Sequence, residues 1–324
     1  MDSEWSSKPH YVSVSHNGIS RRCRLGTGVL VAAIVMGGLT AEAMGQERAP
    51  IEVLRAEYGD PVLRGVIDLH AHSGPDVRER AITDFDAARI AKRAGMRAIV
   101  LKHHYSESAH RAQMVMQEVP GIDVYGGVIL NLSVGGINPH AIRTMLGMEG
   151  NRGKVVWLPT WDAEADASRQ RQDGPAVPII RNGELVPELA EVFKLIADND
   201  LVLATGHISP DEILTVLPAA RQAGVRRMLV THARSNIEEM RQMVEEGAVL
   251  ECIYSDITLC ASRIKAVGAE HFVLATDLGQ PGRPNHPDGF KTLIMQMRDE
   301  GITQEQIDMM VRTTPARLLG LEPG

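Results

Sequence analysis

Val66-Ile67-Asp68-Leu69-His70-Ala71-His72 closes a short apolar run with two histidines one residue apart. Side chains of a strand alternate between two faces, so residues two apart share a face. Two imidazoles on one face of a strand end can grip one metal ion. Four further apolar runs end in a residue that could join them, namely Lys102, His207, His232 and Asp277. That ordered set points to a metal-dependent hydrolase.

Around this stretch the pattern is regular. Short β-rich runs at 66–69, 98–101, 124–130, 155–158, 201–204, 227–230, 248–254 and 272–275 alternate with amphipathic stretches. Those stretches lie at 84–94, 109–119, 140–148, 187–197, 211–223, 237–246, 257–267 and 290–298. Strict alternation implies parallel strands joined by crossovers, and eight of them predict a closed (β/α)₈ barrel. An open doubly wound sheet would carry a glycine-rich phosphate turn after its first strand. Here that turn holds His70, His72 and Pro75. Gly95, Gly224, Gly247 and Gly268 each follow a helical stretch, as helix-ending glycines do. The long connection 162–186 contains Asn182-Gly183 between two short β-rich pieces, which predicts a hairpin insert after the fourth strand. A last helix is expected over 303–311.

The chain has 324 residues, 44% of them apolar, and a net charge of −7. It is long enough for one large barrel domain, which commonly takes about 250 residues. No basic tract predicts a nucleic-acid surface. Of the cysteines, Cys252 and Cys260 fall in apolar or helical stretches and read as buried, unbridged thiols.

The N-terminus reads as an export signal spanning 1–44. Ser20-Arg21-Arg22-Cys23-Arg24-Leu25 is basic, 25–39 is weakly apolar, and Ala41-Glu42-Ala43 offers the small residues of a cleavage site. The arginine pair resembles a twin-arginine signal, with Arg24 where an aromatic residue is usual. The apolar run of 15 residues is short of the roughly 20 that span a bilayer, so no stable membrane anchor is expected. The division is therefore 1–44 signal, 45–61 lead-in and 62–324 barrel, with a periplasmic location.

In a barrel of this kind the functional face is the C-terminal end of the strands. His70 and His72 end the first strand, Lys102 to His104 the second, and Asn131 the third. His207, His232 and Asp277 end the fifth, sixth and eighth. The order His-x-His, His, His, Asp is similar to the amidohydrolase superfamily. The segments DLHAHSGPD, VLKHHY, GGVILN, GGINPHAI, WLPTWDA, ATGHIS and ATDLGQ look closer still to an uncharacterised amidohydrolase-like group, the DUF6282 family.

The resemblance implies that His70, His72 and Asp277 hold a more buried metal, and His207 and His232 a second one. Superfamily members with two ions usually bridge them through a carboxylated lysine or a glutamate on strand 4. This chain departs there, because its fourth run ends Trp157-Leu158-Pro159-Thr160-Trp161. Lys102 is the substitute, either as a CO₂-derived carbamate or as an ammonium that contacts substrate. The donor set suits one or two divalent ions, Zn²⁺ first. Asp277 is expected to shuttle the proton of an attacking water. Asp68 is either a partner for a ligating imidazole or, by its strand position, turned to the opposite face. His104 and Asn131 are expected to bind the small-molecule substrate. Trp157 and Trp161 wall the pocket or fill the core. His10, His16, His110, His140, His271 and His286 read as surface or packing residues.

The expected activity is hydrolysis of an amide, cyclic amide or imide, or ester, with C–N bonds first. A mononuclear decarboxylase on the same barrel and a non-catalytic periplasmic metal or small-molecule binder are the alternatives. A phosphoester hydrolase ranks below them, since no cluster of Arg or Lys at strand ends forms a phosphate clamp. Homo-oligomerisation is left open.

Overall fold

A computed structural model describes residues 59–166 and 175–322. The signal and most of the lead-in read from the sequence lie outside the described residues, as do Cys23, His10 and His16. Among the described residues no helix is long and apolar enough to cross a membrane.

The strands are β1 (Ile67–Ala71), β2 (Ala98–Leu101), β3 (Asp123–Ile129), β4 (Gly153–Trp157), β5 (Ile180–Arg181), β6 (Glu184–Leu185), β7 (Val202–Ala204), β8 (Arg227–Val230), β9 (Ala248–Ile253) and β10 (Phe272–Ala275). Eight of them form one parallel sheet in the order β1-β2-β3-β4-β7-β8-β9-β10. Backbone hydrogen bonds close the ring just beyond β10: Asp277 N–H donates to His70 O at 2.8 Å, and His72 N–H to Leu278 O at 2.9 Å. The chain is a (β/α)₈ barrel, as the alternation predicts.

Among the described residues, eight helices of eight residues or more follow the barrel strands: α1 (Asp84–Ala94), α2 (Ala109–Glu118), α3 (Pro139–Leu146), α4 (Glu188–Asp198), α5 (Pro210–Gln222), α6 (Ile237–Glu245), α7 (Ile257–Val267) and α8 (His286–Asp299). Local chemistry sets their ends. Thr83 accepts a hydrogen bond from Asp86 N–H at the start of α1, and Gly95 ends it at φ 86°. At the start of α5, Ser209 and Glu212 form a reciprocal capping box. Such a cap is worth about 1 kcal/mol, and here it fixes the chain two residues beyond His207.

Side chains of the strands divide between two apolar layers. Ile67, Leu69, Val100, Ile129, Trp157 and Val273 fill the barrel with Leu318 and Leu319 of the C-terminal helix. Ile99, Leu101, Val156, Leu203, Val230 and Leu274 face the helices. On β1 the alternation breaks once. Asp68 pairs with Ile99 and Ala71 with Leu101, so three steps on β1 match two on β2. A slip of this kind is a bulge, which re-aims side chains near a barrel rim. It places Ile67 and Leu69 in the barrel core and still brings His70 and His72 to the same mouth as Lys102.

The insert after β4 forms the expected hairpin. Ile180 pairs with Leu185, and Asn182 and Gly183 turn at φ 55° and 84°, as a two-residue type I′ connection requires. Most element ends lie within two residues of the sequence reading, and two helices differ by more. Helix α8 begins at His286 rather than 290, because Asn285 caps it by accepting from Asp288 N–H. The last helix runs past 311: an α-helical piece (Gln304–Asp308), a π-helical stretch (Met309–Thr313) and a final piece (Thr314–Leu319) follow without a break. Pro315 lacks an N–H and crowds the preceding turn, and the wider π stretch relieves both. Cys252 and Cys260 are buried and unbridged.

Candidate metal centre

Three nitrogen and oxygen donors converge at the C-terminal mouth of the barrel. His70 Nε2 lies 3.2 Å from His72 Nε2, and Asp277 Oδ1 lies 3.1 Å from the first and 3.0 Å from the second. Lys102 Nζ sits 3.0 Å from His70 Nε2. His70, His72 and Lys102 are all buried.

The other ring nitrogens settle which atoms carry protons. His70 Nδ1 faces both oxygens of Glu251 at 3.2 and 3.1 Å, so its proton lies on Nδ1. His72 Nδ1 faces the carbonyl oxygen of Lys102 at 2.8 Å and donates to it. Both Nε2 atoms then present lone pairs to the same point, beside a carboxylate oxygen. Orientation of a ligating imidazole by a carboxylate or carbonyl on its far side is the usual support of a metal site.

A second pair stands next to the first. His207 Nδ1 is bonded to Asp166 Oδ2 at 2.6 Å, which leaves Nε2 as the lone-pair atom. That Nε2 and His232 Nδ1 are buried and find no hydrogen-bond partner among the described residues. Buried polar atoms without partners are rare in folded proteins and call for an explanation, such as an ion that they ligate. His232 Nδ1 stands 3.9 Å from Glu251 Oε2 and 3.9 Å from Asp277 Oδ2. Two groups therefore suit a cation: His70, His72 and Asp277, and His70, His232 and Glu251.

Electrostatics agree with the geometry. Burial and Lys102 push the His70 pKa down, yet Glu251 and Asp277 outweigh them and raise it. A centre that holds a histidine between two carboxylates favours positive charge. Burial pushes His72 down to about 3, and burial also lowers His207 and His232. Neutral imidazoles are the form that ligates. Burial opposes ionisation of Asp277, but His70, His232 and its hydrogen bonds hold it well below the usual carboxylate range. Burial lowers Lys102 to about 8.

The backbone is strained where the site needs it. His232 and Asp277 adopt φ 58° and 52°, a left-handed conformation costly for residues with a Cβ and concentrated at functional sites. Gly206, just before His207, has φ 64°, and a Cβ there would meet Leu158 O at 2.2 Å. Only glycine lets β7 leave the barrel at that point.

One wall of the mouth is a stack of rings. His104 lies on His72 with centroids 4.9 Å apart, Trp161 on His104 at 4.3 Å, and the Arg78 guanidinium 3.1 Å over Trp161. Asn131 Nδ2 donates to Thr160 Oγ1 at 2.9 Å, and Thr160 Oγ1 lies 2.8 Å from His104 Nδ1. The hydroxyl thus ties the Asn131 amide to the His104 ring and fixes the ring's orientation. The sequence marks Asn131 as a substrate contact, but its amide is engaged otherwise. Nδ2 also donates to His104 O at 3.0 Å, and Oδ1 accepts from Thr160 N–H at 2.8 Å. Trp157 is core, and Lys102 Nζ stands 5.8 Å from its ring centre.

Asp68 does not support an imidazole ring, because the bulge leaves it on the outer phase of β1. Its Oδ1 accepts from His70 N–H at 3.1 Å and Thr276 N–H at 3.0 Å, and Oδ2 from the Thr276 hydroxyl at 2.6 Å. It ties β1 to β10. The carboxylate behind His70 is Glu251, which the sequence reading passes over. A lone acid inside Ala248-Val249-Leu250-Glu251-Cys252-Ile253 is the available signal. Asp166, behind His207, lies in the long connection after β4, where no periodicity marks it.

Comparison with known proteins fits this picture. The family model described as a family of unknown function (DUF6282) matches residues 65–251, more than half of the chain. The chain belongs to the DUF6282 family. No curated protein matches it by sequence. Among solved structures, the TatD homologue YJJV of Escherichia coli superposes with a TM-score of 0.56 at 16% identity, over 81% of this chain and 100% of that one. The organophosphorus hydrolase of Deinococcus radiodurans gives 0.54 at 17% identity, over 79% and 92%. An organophosphate hydrolase engineered from a weak promiscuous lactonase gives 0.54 at 16%, over 83% and 99%. At such identities the likeness is one of fold.

Proposed function

We propose that this DUF6282 chain is a metal-dependent hydrolase that cleaves an amide, cyclic amide or imide, or ester bond of a small molecule, with Zn²⁺ as its ion. The observation that carries the reading is the convergence of His70 Nε2, His72 Nε2 and Asp277 Oδ1 within 3.2 Å of one another. His207 and His232 stand beside them with unpartnered buried nitrogens. A bound divalent ion supplies Lewis acidity there and makes water a nucleophile near neutral pH.

The residues of the chain do the rest. Asp277, held ionised, takes the proton of the attacking water and returns it to the leaving group. Glu251 and the Lys102 carbonyl fix the tautomers of His70 and His72. His104 binds the substrate, oriented by Thr160 and Asn131. Lys102 is buried, and its depressed pKa raises the fraction of free amine, the form that adds CO₂. We read it as a carbamate that would join the two histidine pairs. Hard and borderline N/O donors without thiolate favour zinc among the borderline ions. The basic segment and small-residue site at 20–43 support export and a periplasmic place of action.

The test is metal content and turnover on full-length protein grown with zinc and bicarbonate, for wild type, Lys102→Ala and Asp277→Asn. Two zinc ions falling to one or none in Lys102→Ala support the carbamate. Asp277→Asn is expected to abolish hydrolysis of an ester and amide panel while most metal is retained. No metal in any sample after reconstitution would overturn the proposal. One ion in both wild type and Lys102→Ala would leave Lys102 as a substrate contact.

A further inference from the structure

A cleft of 340 Å³ opens beside His207 and His232, between the ends of β7 and β8 and the first turn of α5. Its size is at the lower end of the roughly 300–1,000 Å³ of small-molecule sites. Ile208, Ile213 and Val230 line it, and all three are buried. Its lining includes two charged side chains, Asp166 and Arg234. Asp166 is engaged with His207 at 2.6 Å. Arg234 stands half-exposed at the opening, 51% accessible, where Asp256 Oδ2 accepts from its Nε at 3.0 Å.

That contact orients the guanidinium without using its end. Nη2 has only a long contact of 3.5 Å to Ser255 Oγ, and Nη1 has no acceptor among the described residues. The pair Nη1–Nη2 is a planar fork that matches a carboxylate in two parallel hydrogen bonds. A phosphate dianion calls for several converging cations. Among the described residues Arg234 is the only arginine or lysine that lines the cleft.

Resting on the hydrolase reading above, we infer that this cleft is a substrate subsite and Arg234 its specificity residue. It selects a carboxylic acid with a short branched apolar group beside the scissile amide or ester. The apolar group enters between Ile208, Ile213 and Val230, and the carboxylate meets the Arg234 fork at the rim. Pockets of this composition take most of their affinity from the apolar walls and their orientation from a few polar groups.

The test uses full-length, zinc-loaded protein and two probes of one shape, 3-methylbutanoate and 3-methylbutanamide. Dissociation constants come from ligand-observed NMR titration, and zinc content is measured on the same samples. The acid is expected to bind at least tenfold tighter than the amide. Arg234→Ala brings the two within threefold, and Arg234→Lys retains part of the preference. Equal binding of acid and amide to wild type overturns the inference. So does a preference that survives Arg234→Ala, because the carboxylate is then held by the metal centre. Inorganic phosphate that displaces the acid more strongly than acetate does, in an Arg234-dependent way, also overturns the carboxylate assignment. Binding needs no turnover, so the outcomes separate. Zinc-replete protein without an Arg234-dependent preference refutes this subsite alone, whereas protein that takes up no zinc refutes the hydrolase reading.

Discussion

Replacing Glu251 with glutamine tests the idea that this carboxylate orients His70 for metal binding. The side chain is 1% exposed and touches His70 Nδ1 with both oxygens, at 3.2 and 3.1 Å. Its Oε2 also accepts from His232 N–H at 3.0 Å. Glutamine keeps the shape but has one oxygen. With that oxygen left on His232 N–H, it still accepts from His70 Nδ1–H at 3.1 Å, but the amide NH₂ now stands 3.2 Å from the same Nδ1–H, donor against donor. With the oxygen turned to His70, the buried His232 N–H loses its acceptor. Hydrogen bonds to a charged group contribute about 1.5–3 kcal/mol net and neutral ones about 0.5–1.5. The exchange therefore costs about 1–2 kcal/mol, or roughly 5- to 30-fold in affinity. Loss of such supporting groups typically weakens metal binding about 10- to 100-fold. Zinc affinity is expected to fall about tenfold, measured by competition with a chromophoric chelator on the full-length protein. Glu251→Asp, which keeps the charge, serves as the control for folding. Glutamine protein that binds zinc within twofold of wild type would refute the role given to Glu251.

Three further outcomes follow from other parts of the molecule. Burial pushes His286 down to about 4, while the unfolded chain titrates near the ordinary 6.5 and so takes up the proton first. Its stabilisation is complete above about pH 6.5 and is lost as pH falls toward 4, a change of about 3 kcal/mol. Urea unfolding of wild type and His286→Gln between pH 4 and 7 checks this, and equal pH slopes would exclude it. Gly206→Ala, at φ 64° with Leu158 O in the way, should destabilise by at least about 1–3 kcal/mol in the same assay. Asn131→Ala leaves Thr160 N–H and His104 O without their side-chain partner. It should cost about 2 kcal/mol or more in stability, where a residue used only for substrate would leave unfolding unchanged.

Much of the fold was legible because barrels repeat one unit. Each apolar run is a buried parallel strand, and each glycine after a helical stretch marks a return to the sheet. The strands at 98–101, 227–230 and 272–275 and the helices at 84–94 and 257–267 have the ends read from the sequence. The hairpin was legible because Asn-Gly favours one turn. Boundaries failed where a cap or a proline decided them, at His286 and beyond 311. Most residues that gather at the mouth were named from their positions at run ends. Glu251 escaped because it lies inside a run, and Asp166 because it lies in a connection without periodicity.

The amino-acid order alone determined the eight barrel strands, the alternation that closes a barrel, and the face on which His70, His72, Lys102, His207, His232 and Asp277 had to meet. These follow from periodicity and residue type, which are local. What stands behind each ligand only the tertiary structure decided. The one-residue slip on β1 sends Asp68 to Thr276 and gives His70 to Glu251, 181 residues away. Asp166 reaches His207 across 41 residues, and Asn131 turns inward to hold Thr160 and His104. Hydrogen-bond partners far apart in the chain are chosen by the register and curvature of a closed sheet. A single strand's pattern carries no record of either.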